Sequence, residues 1–138
     1  MPKNRSKRSK GRIRALRRLN ARRKAAGTGW ALTNEYHHLG MPTTRPKLGE
    51  THLEEYKAFC TDHERNLFGI QWMRFEPDCP LPGLVKKVPH LAFEVDNLAR
   101  ALEGQEILIE PSSPSQGVLV AFVVCDGVPV ELLEFSKK

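Results

Sequence analysis

Val88–Val95 reads VPHLAFEV and Val128–Phe135 reads VPVELLEF, and what lies between them decides the fold. Both stretches are rich in β-branched and aromatic residues and predict strands. After the first, Asp96 is placed to cap a short helix that carries Leu98, Ala101 and Leu102 on one face. Gly104 closes that helix, because glycine accepts the left-handed conformation a helix end needs. Glu106–Glu110 (EILIE) alternates with period two, the pattern of a strand with one wet face. Residues 111–116 form a Pro/Ser loop, and Val118–Val124 is an apolar strand. Asp126-Gly127 then supplies a tight hairpin turn into Val128–Phe135. The order is strand, helix, strand, strand, strand.

The upstream half echoes this one. Tyr36–Met41 (YHHLGM) predicts a strand ended by Pro42, and Gly69–Glu76 (GIQWMRFE) predicts another. Thr51–Cys60 reads more as strand than helix, although Thr51 and Glu54 have the spacing of a capping box. His38-Leu39-Gly40-Met41 matches His90-Leu91-Ala92-Phe93: histidine, leucine, small, large apolar. Ile70–Phe75 matches Val130–Phe135: apolar, polar acceptor, two apolar, charged, aromatic. Two matches in the same order point to a duplication, with halves at about 35–77 and 86–136 joined by the Pro-rich linker 78–83.

The matched polar positions are His38, Gln71, His90 and Glu131. Each interrupts an apolar strand, where an unpaired polar side chain costs several kcal/mol. Under a pseudo-twofold relation, equivalent strands face one another and these four side chains converge. Two imidazoles, an amide oxygen and a carboxylate suit a divalent ion of the Zn, Ni, Co, Mn or Fe(II) kind. Such an ion polarises a carbonyl or lowers the pKa of a bound water. His37 should point to the opposite face, and His52 and His63, lacking repeat partners, should be exposed. Trp72, Phe93 and Phe122 are the aromatic candidates for contact with a substrate, with a core role as the plainer reading of each.

The pattern resembles the vicinal-oxygen-chelate superfamily, which includes glyoxalase I, extradiol dioxygenases and bleomycin- or fosfomycin-resistance proteins. The resemblance spans residues 36–136 and rests on YHHLGM, VPHLAFEV, the Asp-Gly hairpin and VPVELLEF. It implies an α+β fold of two βαβββ modules in an open mixed β-barrel around a metal. The first module is too short for its full helix. Carried over by position, the ligands are His38, Gln71, His90 and Glu131, with Glu131 as the catalytic base. The implied activity is a glyoxalase-like lyase or isomerase acting on a small substrate with vicinal oxygens through an enediolate-type intermediate. Two alternatives stay open: a non-catalytic drug- or antibiotic-binding protein, and an Fe(II) extradiol-type dioxygenase drawing on His38, His90 and Glu131. The family often forms homodimers, and the edge strands of a small duplicated sheet invite such pairing.

Charge divides the chain of 138 residues into two materials. Residues 1–34 hold 12 of the 22 Lys and Arg and no acid, so residues 35–138 carry ten bases against all 16 acids. The first part reads as a disordered basic extension. Three roles are open to it: a nucleic-acid-binding arm, an organelle targeting peptide, or upstream sequence with synthesis starting near Leu32. The acidic remainder gives no reason to bind nucleic acid. The three cysteines form no close pair, no apolar leader is visible and no apolar run reaches membrane-spanning length, which points to a cytoplasmic protein with reduced thiols.

Overall fold

The two duplicated histidine segments occupy the centre of one sheet. In the computed structural model, which describes residues 35–137, β1 (Glu35–Pro42) and β5 (His90–Glu94) run side by side and antiparallel. Each has a parallel partner on its outer side, β4 (Ile70–Phe75) beside β1 and β8 (Val128–Phe135) beside β5. Beyond β4 come β3 (Ala58–Cys60) and β2 (Thr51–Leu53); beyond β8 come β7 (Val118–Cys125) and β6 (Glu106–Ser112), all antiparallel. The order β2-β3-β4-β1-β5-β8-β7-β6 therefore repeats outward from the centre in both halves. The sheet curls into an open mixed half-barrel, an α+β architecture dominated by strands. Equivalent strands do not face one another, as the duplication suggested. β1 and β5 are neighbours, β4 and β8 lie on their two outer sides, and the curl of a single sheet brings the halves together.

Local chemistry explains most boundaries. Asp126 and Gly127 both have positive φ, 49° and 80°, the requirement of the two-residue turn whose twist matches a hairpin. The stretch 51–60 is interrupted by a 3-10 turn at Glu54–Tyr56 and by Lys57 at φ 49°, so two short strands replace the one expected. No capping box forms there, since the cap position is Leu53 and no side chain caps the turn. A short helix, α1 (Gly83–Lys87), follows the linker and starts after Pro82. The helix of the second half, α2 (Leu98–Leu102), is capped one residue later than expected. Asn97 accepts the Arg100 N–H at 3.0 Å, and Glu134 on β8 accepts the Leu98 N–H at 2.7 Å.

The convex side of the second half is the main apolar core. Val95, Leu98, Ala101, Ala121, Val123, Val130 and Leu132 are buried there beneath α2, with Phe93 packed against them. The first half has no helix in the corresponding place. Residues 43–50 cover it instead, with the Lys47 ammonium 4.4 Å from the Trp72 ring and Glu50 paired to Arg74. The Arg74 guanidinium in turn lies 4.0 Å over Phe59. Cation–aromatic contacts, worth about 0.5–1 kcal/mol each at exposed sites, thus stand in for a helix face. Among the described residues no helix is long and apolar enough to cross a membrane. The basic extension 1–34 lies outside the described residues.

Candidate metal centre

Strand register brings the polar residues together in two adjacent rows. One row crosses β4, β1 and β5 as Gln71, Gly40 and His90. The next crosses β1, β5 and β8 as His38, Ala92 and Glu131. Side chains paired across neighbouring strands share a face, here the concave one. The small member of each duplicated motif lies between the polar groups of its row. A Cβ at Gly40 would run into the His90 imidazole, so glycine leaves the space that the ring fills. Ala92, wholly buried, keeps the lane between His38 and Glu131 open in the same way.

His38 and His90 are 4% and 1% exposed, and both aim Nε2 at one oxygen of Glu131. His90 Nε2 lies 3.0 Å from Oε2 in hydrogen-bond geometry. His38 Nε2 lies 3.1 Å from the same oxygen, but off the line a hydrogen bond needs, and it has no other partner. His90 Nδ1 is also buried without a partner. Buried polar atoms are almost always satisfied, so the orphaned His38 Nε2, set with His90 Nε2 against one buried carboxylate oxygen, fits a site built for a cation. The ligand atoms of His38, His90 and Glu131 all lie within 4.8 Å of one another. Burial alone would push the Glu131 carboxyl up. The contacts from His38 and His90 outweigh it and hold the carboxyl down at about 2, so it is an anion throughout the neutral range.

A cavity of about 450 Å³ opens over this group. Its polar lining includes His37, His38, His63, Gln71 and Glu131, and its walls are mainly apolar, with Met73, Val120, Phe122, Leu133 and Phe135 among them. That size and character suit a small organic ligand. Gln71 thus lines the same cavity as His38 and Glu131. Phe122 also lines it, its ring 5.1 Å from that of His90 and nearly perpendicular. Trp72 and Phe93 do not. Trp72 follows cavity-facing Gln71 and turns to the convex side under Lys47, while Phe93 packs into the core beneath α2. Strand parity carries that information, since both positions are out of step with the polar residues on their own strands.

Two further histidines join the site against expectation. The β1–β5 register shifts between Tyr36 and His38, and this bulge turns His37 onto the same face as His38. Their Nδ1 atoms lie 2.8 Å apart. His63, on the 3-10 turn His63–Arg65 after β3, is not simply exposed: its ring is 4.5 Å from that of His37 and 5.5 Å from that of His38. Burial lowers the pKa of His37, and the neighbouring His38 and His63 oppose its protonation further. His52 lies elsewhere, paired with Glu76. Cys60, also in the cavity wall, has its thiol pushed up to about 12, chiefly by burial.

No protein-family model matches this sequence, and no curated protein matches it. Among solved structures, the fold is similar to that of a hypothetical protein from Bacillus halodurans C-125, with a TM-score of 0.54 at 18% identity. The match covers 77% of this chain and 97% of that one. At such identity the likeness concerns the fold alone, and it agrees with the curled mixed half-barrel described above.

Proposed function

We propose that this chain is a member of the vicinal-oxygen-chelate superfamily and works as a metal-dependent, glyoxalase-like lyase or isomerase. Two βαβββ modules make the half-barrel in this reading, the first having exchanged its helix for the 43–50 loop. The observation that carries the proposal is the convergence of His38 Nε2 and His90 Nε2 on Oε2 of Glu131 at the floor of a ligand-sized cavity. His38, His90 and Glu131, with Gln71 beside them, would hold a divalent ion, which supplies Lewis acidity toward vicinal substrate oxygens.

The chain's own residues have distinct tasks. His38 and His90 are fixed by burial, so their nitrogens need no reorganisation on binding. Both engage Oε2 of Glu131, and no described residue donates a hydrogen bond to Oε1. Glu131 therefore has an oxygen free to take a proton from one substrate carbon and return it to the adjacent carbon. Phe122 and the aliphatic walls exclude water and orient a small substrate with an apolar part.

The test pairs metal content with chemistry. Purified protein should bring about deuterium exchange in α-hydroxycarbonyl compounds. His90→Ala should lose one equivalent of metal together with that activity. Wild-type exchange no faster than buffer would remove the catalytic claim and leave a metal-dependent binding protein. A second reading has its own observation: His38, His90 and Glu131 without Gln71 are two histidines and one carboxylate, the set of Fe(II) oxygenases. Oxygen consumption with catechols on Fe(II) loading decides for it. A second copy pairing along the edge strands β2 or β6 would make the homodimer this reading expects, and sedimentation measures it.

A further inference from the structure

Four of the chain's five histidines gather in two groups that share His38, more than a single ion at the His38, His90 and Glu131 group uses. The surplus pair, His37 and His63, lies on the outer side of His38. His90 and His38 are almost wholly buried, whereas the His63 side chain is 24% exposed and His37 is half-buried. The ligand nitrogens of His37, His38 and His63 lie within 4.8 Å of one another. Their assembly takes two separate features of the backbone. A bulge turns His37 onto the concave face beside His38, and a 3-10 turn delivers His63 from the far side of β3. Phe135 stacks on His37 with ring centroids 5.7 Å apart and closes the third side.

We propose that His37, His38 and His63 form a second metal-binding site at the mouth of the cavity, suited to a tetragonal divalent ion such as Cu(II) or Ni(II). Three imidazoles are ligands of the right softness. The 2.8 Å between the Nδ1 atoms of His37 and His38 is a hydrogen bond, one ring donating to the other, and a bound ion would take the place of that shared proton. With metal–nitrogen distances of about 2.05 Å, two ligands at a right angle lie about 2.9 Å apart, and two at the tetrahedral angle about 3.3 Å. From the hydrogen-bonded 2.8 Å, the two rings need to part less for cis positions of a tetragonal ion than for a tetrahedral one. His38 is the hinge between the two sites. Its Nε2 faces Glu131 and its Nδ1 faces His37. One neutral imidazole has one lone pair, so it serves the inner or the outer ion, and both at once only after losing its N–H proton to solvent. The outer site is thereby an entry station, where an arriving ion meets His37 and His63 before His38 turns its service inward. This site stands whether or not the inner one is catalytic.

The experiment uses the full-length chain with the inner site disabled by His90→Ala and Glu131→Gln, stripped of metal and titrated with nickel or copper alone. One equivalent should bind, with a tetragonal copper resonance spectrum showing coupling to three nitrogens. Adding His63→Ala should reduce the coupling to two nitrogens. It should weaken nickel by more than the roughly 10–100-fold that an outer-shell partner alone carries. His37→Ala should do the same, and His52→Ala should change nothing. Far-UV circular dichroism and melting of each variant establish that it is folded, and glutamine at the same position replaces any alanine change that is not. No tight binding to the inner-site variant, or binding and nitrogen count unmoved by both His37→Ala and His63→Ala, would overturn the proposal. Loss of metal from the inner group alone would instead be read from His90→Ala in the otherwise wild-type chain.

Discussion

Gly40→Ala adds one methyl group and tests the geometry of the whole inner site. Gly40 is paired in register with His90 on the neighbouring strand, and the imidazole lies where a Cβ would stand. The ring cannot swing aside freely: His90 is 1% exposed, Phe122 packs at 5.1 Å and His38 at 5.5 Å, both edge-on. Either the ring shifts or β1 and β5 separate. Overpacking of this kind costs about 1–3 kcal/mol. In a domain of about 100 residues that lowers Tm by about 4–15 °C. The second consequence is local. A ring shift takes His90 Nε2 out of its 3.0 Å contact with Glu131, and metal binding falls with it. The assay is thermal melting of wild type and variant, each with chelator and with added divalent metal. Metal should raise the wild-type Tm by mass action and raise the variant's much less. A Gly40→Ala protein with unchanged Tm and the same metal-induced increase would refute the placement of His90 over Gly40, and with it the reason for a small residue in the duplicated motif.

Gln71→Glu adds a second carboxylate to the cavity and should tighten a divalent ion by at least about tenfold, measured by competition with a chelating dye; unchanged affinity would remove Gln71 from the ligand set. In metal-free protein, Glu131 is depressed in the folded state, so its stabilising contribution is complete above its ordinary value of 4.5 and is lost as pH falls toward about 2. Urea melts across that window should show the loss in wild type and a flatter profile in Glu131→Gln. Cys60 and Cys79 are buried and Cys125 is exposed, so one thiol per folded chain should react promptly with a disulfide reagent at pH 8. Cys125→Ser should abolish that fast phase, and a fast phase of three thiols would contradict the packing around Cys60.

The legible part of this protein was local and periodic. Alternation in EILIE, the apolar run 118–124 and the Asp-Gly pair specify strands and a hairpin through side-chain parity and backbone sterics, which need no tertiary context. The two repeated motifs were legible for the same reason: histidine, leucine, small, large apolar named His38 and His90, and the match of Ile70–Phe75 with Val130–Phe135 named Gln71 and Glu131. The charge boundary at residue 35 follows from composition alone.

What the tertiary structure decided is whatever depends on neighbours. Trp72 and Phe93 attract a binding role by their chemistry; parity sets them on the face opposite Gln71 and His90, and the curl of the sheet puts the cavity on the other side. His37 escapes even parity, because a bulge is a property of the β1–β5 pairing and not of either strand alone. His63 arrives from a turn after β3, and nothing within its own segment marks it as a neighbour of His37 and His38. The small residue at 40 carried no visible purpose until β5 lay beside β1 and the His90 ring filled the missing Cβ. Sequence periodicity records which face each strand offers; only the pairing and curl of the strands determine what that face meets, because those contacts join residues far apart in the chain.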